Sequence, residues 1–122
     1  MADMNPEIKK RWVEALRSGE YEQTKGMLYR EDEGYCCLGV LTDLFLKEKG
    51  LTWNSPVKKG ESNTFIDKEE LPEEVQQWAG VEHSLPYALD DERNEDWELA
   101  VLNDEGSSFS EIADLIEKLR VQ

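Results

Sequence analysis

Three residues of this 122-residue chain have side chains typical of catalysis or metal binding: Cys36, Cys37 and His83, the only histidine. The two cysteines are adjacent, and His83 follows Cys37 by 46 residues, which is not a zinc-ligand spacing. No local signature surrounds His83 to predict a cysteine–histidine nucleophile, and neither GxxxxGK[ST] nor GxGxxG occurs. Adjacent cysteines form no ordinary disulfide, so we expect two reduced thiols that serve in packing. The sequence therefore predicts no catalytic residue, no metal and no cofactor.

A second group of residues combines cations with aromatic rings within the first thirty positions. Arginine beside aromatic planes suits a small anionic or nucleotide-like ligand. The alternative is ordinary surface charge beside core aromatics. The candidate ligand-binding residues of this group are Trp12, Arg17, Tyr21, Lys25 and Arg30.

Gly39 and Asp43 lie four residues apart in a predicted helix and are therefore stacked neighbours. A glycine inside a helix costs up to about 1 kcal/mol relative to alanine, and it is often retained where a ligand or another backbone comes close. Asp43 is accordingly a candidate ligand-binding residue, with tight packing of a hairpin against the helix as the alternative. Asn103 and Asp104, from a turn-like segment, are added to the same candidate set.

The net charge of −14 is distributed unevenly. Residues 1–60 hold ten basic and ten acidic side chains, whereas residues 61–122 hold four basic and eighteen acidic ones. Such a field repels nucleic acid and attracts a basic partner. The densest acidic run could dock on a basic protein or imitate the spacing of DNA phosphates, unless it is only a solvated loop. Its candidate partner-binding residues are Asp90, Asp91, Glu92, Glu95 and Asp96.

The spacing of apolar residues predicts an α+β fold for a single domain over residues 1–122, with three or four helices around a central one. Predicted helices cover residues 6–18, 37–49, 72–79 and 109–120, and a short β-hairpin covers 27–36. Asp67 with Glu70, and Ser108 with Glu111, have the spacing of capping boxes. Residues 81–96 are predicted to be loop-like, and 97–102 to form an extended or single-turn element. No apolar run reaches the length of a membrane span or resembles a signal peptide.

Several blocks in order along nearly the whole chain resemble a family of small uncharacterised proteins of tailed bacteriophages and prophages. These blocks are RWVEALRSG at 11–19, YCCLGVL at 35–41, LPEEVQQWAG at 71–80, and LND at 102–104 with Gly106, Phe109 and Ile112. The resemblance implies a phage accessory protein that acts in the cytoplasm of the host bacterium. The family has no assigned activity, so no catalytic residue is carried over. The acidic run at 90–98 lies outside the shared blocks.

These observations together predict non-enzymatic binding in phage–host conflict, as in counter-defence. One mechanism is sequestration of a nucleotide-like immune signal by Arg17, Lys25, Arg30 and nearby aromatics, for which a homo-oligomer with a pocket at its interface would be suited. The other is an acidic inhibitor or DNA mimic that covers a basic host protein surface. An unrecognised small enzyme is a third alternative. Direct binding to nucleic acid or to a membrane is not expected.

Overall fold

The computed structural model describes residues 3–66 and 68–122. That part of the chain contains five helices and five short strands, and the strands form two small antiparallel sheets. This arrangement confirms the α+β prediction. Four of the five helices correspond to the four predicted ranges, and the fifth covers Leu99–Asp104. In chain order the elements are α1 (Pro6–Arg17), β1 (Tyr29–Arg30), β2 (Gly34–Tyr35), α2 (Cys37–Lys49), α3 (Glu73–Ala79), β3 (Tyr87–Asp90), β4 (Glu95–Glu98), α4 (Leu99–Asp104), α5 (Phe109–Lys118) and β5 (Arg120–Val121).

Helices α1 and α5, from opposite ends of the chain, pack against each other and begin at the predicted caps. The Asn5 side chain accepts the backbone N–H groups of Glu7 and Ile8 at 2.9 and 3.2 Å, and Pro6 takes the first helical position. Ser108 and Glu111 form the reciprocal capping box at the start of α5. Asp67, the first residue of the other predicted capping box, lies outside the described residues, and α3 begins after Pro72 without a side-chain cap.

Helix α2 is buried on almost every side, as expected of a central helix. The helix comes so close to the preceding hairpin that a Cβ atom on Gly39 would lie 1.6 Å from the backbone oxygen of Leu28. Of the two interpretations of Gly39, the structure therefore confirms tight packing against the hairpin segment. Leu28 itself is fully buried and fixed by backbone hydrogen bonds to Lys68 and Cys36.

The predicted hairpin forms, with Tyr29 opposite Tyr35 and Arg30 opposite Gly34. The loop prediction for residues 81–96 is wrong at 87–90 and 95–96, where β3 pairs with both β4 and the C-terminal β5 in the order β4-β3-β5. Residues 97–102 divide between the two predicted alternatives: the end of β4 is extended and α4 follows directly. Pairing with β5 links Ala88 to Val121, a contact between residues too distant for local sequence patterns to detect.

Among the described residues, each helix is too short or too polar to span a bilayer.

Candidate binding surfaces

Asp43 is the centre of a polar cluster on α2 and is only 7% exposed. The hydroxyl of Tyr21 donates to its Oδ2 atom at 2.6 Å, and the indole N–H of Trp53 donates to Oδ1 at 3.1 Å. The ammonium of Lys47, one helical turn further along, lies 3.0 Å from Oδ2. Both carboxylate oxygens are therefore satisfied, which is what a buried charge requires.

The two rings that bond this carboxylate belong to a cluster of four partly exposed aromatic residues, which we call the aromatic face: Tyr21, Tyr29, Tyr35 and Trp53. Tyr29 stacks on Trp53 with ring centroids 5.0 Å apart and lies 4.8 Å from Tyr35. Tyr21 meets Tyr35 edge-on at 4.9 Å. Burial, with the hydrogen bond to Asp43 second, raises the pKa of Tyr21 to about 12. The hydrogen bond to Asp43 likewise raises the pKa of Lys47, so both groups keep their protons at neutral pH.

Replacing Asp43 with asparagine should lower the free energy of unfolding by about 2 kcal/mol. The amide has one acceptor oxygen in place of two, so either the Tyr21 hydroxyl or the Trp53 indole loses its partner. Urea unfolding followed by tryptophan fluorescence measures the loss. Lys47→Met is the control, because that side chain is 68% exposed and its removal should cost no more than about 1 kcal/mol. Equal losses in the two variants would contradict a central role for the carboxylate.

Asn103, a candidate ligand-binding residue, is fully buried and joins three segments. Its Oδ1 atom accepts the Gln23 side-chain amide at 2.8 Å and the Cys37 backbone N–H at 3.2 Å, while its Nδ2 atom donates to the Thr24 backbone oxygen at 2.8 Å. Exposed Asp104 accepts the backbone N–H of Gly26 at 2.9 Å. Both residues attach the 21–28 segment to α4, and the side chain of Asn103 has no surface left for a ligand.

The predicted cationic and aromatic group is dispersed. Trp12 is 0% exposed, and its indole N–H donates to the Cys37 backbone oxygen at 2.9 Å in the core. Arg17 is bound by two carboxylates of α5, 2.6 Å from Asp114 and 3.1 Å from Glu117. Lys25 and Arg30 lie near each other, with the Arg30 Nε atom donating to the Lys25 backbone oxygen at 3.3 Å. Within the described residues no hydrogen bond or ion pair links Arg17 to either of them. Tyr21 instead contacts Asp43, the candidate residue on α2.

The thiols and the imidazole lie in different environments. Both cysteines are buried, and burial raises the pKa of Cys36 to about 11 and that of Cys37 well above its usual value. His83 is exposed and lies edge-on to the Tyr87 ring at 5.6 Å. Protonated thiols are poor nucleophiles. In residues 3–66 and 68–122, no group of three or more His, Cys, Asp or Glu side chains is arranged to hold a metal ion.

All five candidate partner-binding acids lie on the β3–β4 hairpin, and we call this set the acidic hairpin: Asp90, Asp91, Glu92, Glu95 and Asp96. Four are exposed and Asp90 is half-buried, with its Oδ1 atom accepting the backbone N–H groups of Glu92 and Arg93 across the turn. Asp91 makes a two-point contact with Arg120 at 2.7 and 2.9 Å, which lowers its pKa. Among the described residues, the other four acids of the set form no ion pair, and Asp91 forms one with Arg120. Hydrogen bonds to Asp90 and Asp91 therefore shape the hairpin, whereas Glu92, Glu95 and Asp96 extend into solvent.

Sequence reasoning missed an open groove of about 410 Å³ that adjoins the base of this hairpin. Val101, at 43% exposure, contributes apolar surface. The groove brings together acids from two distant parts of the chain, 69–70 and 98–104, so no local run indicates it. We call it the acidic groove, and its lining residues are Glu69, Glu70, Glu98 and Asp104 with Gly26, Leu85, Ala100 and Val101.

Sequence reasoning also missed three contributors to the cluster around Asp43. Tyr29 and Tyr35 lie inside the predicted hairpin at 27–36, and Trp53 lies in the polar segment between the predicted helices 37–49 and 72–79. A tryptophan in an otherwise polar loop was the one available signal, because such a large apolar ring is normally at least partly buried.

A family model described as a domain of unknown function, DUF8296, matches residues 4–120. Comparison with curated proteins and with solved structures gives no match.

Proposed function

The chain belongs to this family, DUF8296, whose description assigns no activity, and we propose that it acts by non-enzymatic binding to a basic protein surface. The observation that carries the proposal is the acidic hairpin, from which Glu92, Glu95 and Asp96 extend into solvent without a cationic partner among the described residues. Carboxylates so arranged attract a basic surface over a distance of about 8–10 Å at ordinary salt.

The acidic groove supports the same proposal. Its four carboxylates and the exposed Val101 combine charge with apolar area. Interfaces need both, because the apolar centre supplies affinity while charge supplies orientation and association rate. Glu98 ends β4, so the groove adjoins the strand that carries Glu95 and Asp96 of the acidic hairpin.

Capture of a nucleotide-like signal receives less support. Trp12 has no exposed surface, and the charge of Arg17 is already matched by Asp114 and Glu117. An anionic ligand would also approach against a net charge of −14.

The resemblance to tailed-phage proteins supplies the setting of the proposal. In the cytoplasm of a host bacterium, the protein would cover a basic host surface as an act of counter-defence. A surface that normally contacts DNA is the most favourable target, because its cations are already arranged to meet a row of negative charges.

Pull-down from a bacterial lysate at low salt, with mass spectrometry of the bound proteins, tests the proposal. We expect the chain to capture basic proteins. Their binding should weaken at least tenfold when the salt concentration rises from about 50 to about 200 mM. The variant Glu92→Gln/Glu95→Gln/Asp96→Asn should lose them, since it removes hairpin charge while leaving Asp90 and Asp91 to shape the turn. A matched variant, Glu14→Gln/Glu20→Gln/Glu61→Gln, removes three exposed charges elsewhere and should retain them.

Two results would contradict the proposal. One is capture that is unchanged by salt or equally weakened by both triple variants. The other is a rise in melting temperature with a cyclic nucleotide or ADP-ribose-type ligand, which would favour the capture mechanism because ligands stabilise the state that binds them.

A further inference from the structure

The aromatic face shares no residue with the acidic hairpin or the acidic groove, and the proposed function leaves it unused. Its four aromatic residues are partly exposed, and Asp43 fixes two of them by accepting hydrogen bonds from Tyr21 and Trp53. Tyrosine and tryptophan at the surface, fixed in one arrangement, are typical of the central residues of protein interfaces.

The chemistry of this face favours a cation. The faces of aromatic rings carry partial negative charge and attract cations. One such contact is present within the chain, where the Lys47 ammonium lies 5.3 Å from the centroid of the Tyr21 ring. The turn between β1 and β2 adds three exposed carboxylates, Glu31, Asp32 and Glu33, next to the strands that carry Tyr29 and Tyr35. One of them, Glu33, lies 3.9 Å from Arg30, which leaves Glu31 and Asp32 without an ion pair in the described part of the chain.

We infer that the aromatic face binds an arginine side chain of the basic partner, whose guanidinium stacks on the Tyr29 ring, which is itself backed by Trp53 at 5.0 Å. This inference rests on the proposed function and names the contact that gives it specificity. Arginine fits better than lysine because a planar guanidinium lies flat on a ring, whereas a compact ammonium stays strongly hydrated. The neighbouring carboxylates of Glu31 and Asp32 favour the same occupant over an anion.

The probes are three short peptides of equal length: an arginine–glycine repeat, its lysine-for-arginine counterpart and its uncharged citrulline counterpart. Calorimetric titration of the full chain should rank them arginine, lysine, citrulline. Comparing arginine with lysine separates ring stacking from net charge, because the two peptides carry the same charge.

Tyr29→Leu keeps apolar bulk but removes one ring, and it should weaken the arginine peptide about threefold or more and the lysine peptide by less. Tyr29→Phe keeps the ring and should bind as the natural chain does. The matched control is Tyr87→Leu, which removes a partly exposed tyrosine on β3, and it should also bind as the natural chain does. Urea unfolding of every variant checks that each is folded.

The outcomes separate this inference from the proposed function. If Tyr29→Leu binds both peptides normally while the hairpin triple variant loses lysate proteins, the inference is overturned and the proposed function stands. Absence of arginine-peptide binding to the natural chain also overturns the inference, and the lysate experiment then decides the proposed function independently. Binding of a nucleotide that Tyr29→Leu weakens would overturn the assignment of arginine as the occupant.

Discussion

Replacing Gly39 with alanine should destabilise the protein by about 3 kcal/mol or more, because the added methyl group has no space. An ideal Cβ atom would lie 1.6 Å from the Leu28 backbone oxygen and 2.6 Å from its carbonyl carbon. That oxygen also accepts the Cys36 backbone N–H at 3.1 Å, and the Leu28 N–H donates to Lys68 at 2.8 Å. The obstructing group is therefore backbone fixed on both sides, which cannot rotate away as a side chain could.

Helix propensity alone predicts that Gly39→Ala stabilises the protein. Alanine in a helix interior is favoured over glycine by up to about 1 kcal/mol, so Gly39→Ala distinguishes local preference from tertiary contact. Urea unfolding gives the free energy, and a total stability of about 5–15 kcal/mol for such a domain makes the loss easy to measure.

The control is Gly19→Ala. Gly19 has a positive φ of 79°, and no neighbouring atom lies within 4 Å of the place that an added methyl group would take. This substitution should therefore cost only the conformational penalty of about 1 kcal/mol. A Gly39→Ala variant as stable as the natural chain would contradict the close approach of α2 to Leu28.

Replacing Asn103 with alanine should lower the free energy of unfolding by about 3 kcal/mol, because buried polar groups lose their partners. The Cys37 N–H and the Thr24 oxygen would both be left without the hydrogen bond that Asn103 supplies. Aspartate at this position should be equally costly, since it lacks the Nδ2 donor and adds a buried charge. Thermal and urea unfolding measure the effect.

Asp104→Asn is the neighbouring control, because its side chain is exposed and the new amide oxygen can still accept the Gly26 N–H. It should change stability by less than about 0.5 kcal/mol. A double-mutant cycle with Gln23→Ala adds a specific check, since the two side chains meet at 2.8 Å and should couple by about 0.5–3 kcal/mol. Fully additive losses would contradict the network.

The parts of the fold that are predictable from sequence depend on interactions within a turn or two of the chain. Asn5 and Pro6 define the start of α1, and Ser108 with Glu111 defines the start of α5, because caps use donors two or three residues away. The hairpin before α2 follows from a turn that ends at Gly34, whose φ of 126° suits glycine. The placement of all net charge after residue 60 is a property of composition and needs no fold.

The candidate sites depended on long-range packing. Asp43 acquires partners 22 and 10 residues away, Tyr21 and Trp53, and Asn103 joins Cys37 across 66 positions. Trp12 and Trp53 are both tryptophans, yet Trp12 lies in the core and Trp53 lies on the aromatic face.

Periodicity in the sequence identifies helices and their apolar sides, but it does not say which elements pack against each side. That choice comes from burying apolar area and satisfying buried polar groups over the whole chain at once. The sequence alone therefore determined the capped helices, the first hairpin and the acidic character of the second half. Only the tertiary structure decided which candidate residues are buried, which are paired, and which reach solvent where a partner can touch them.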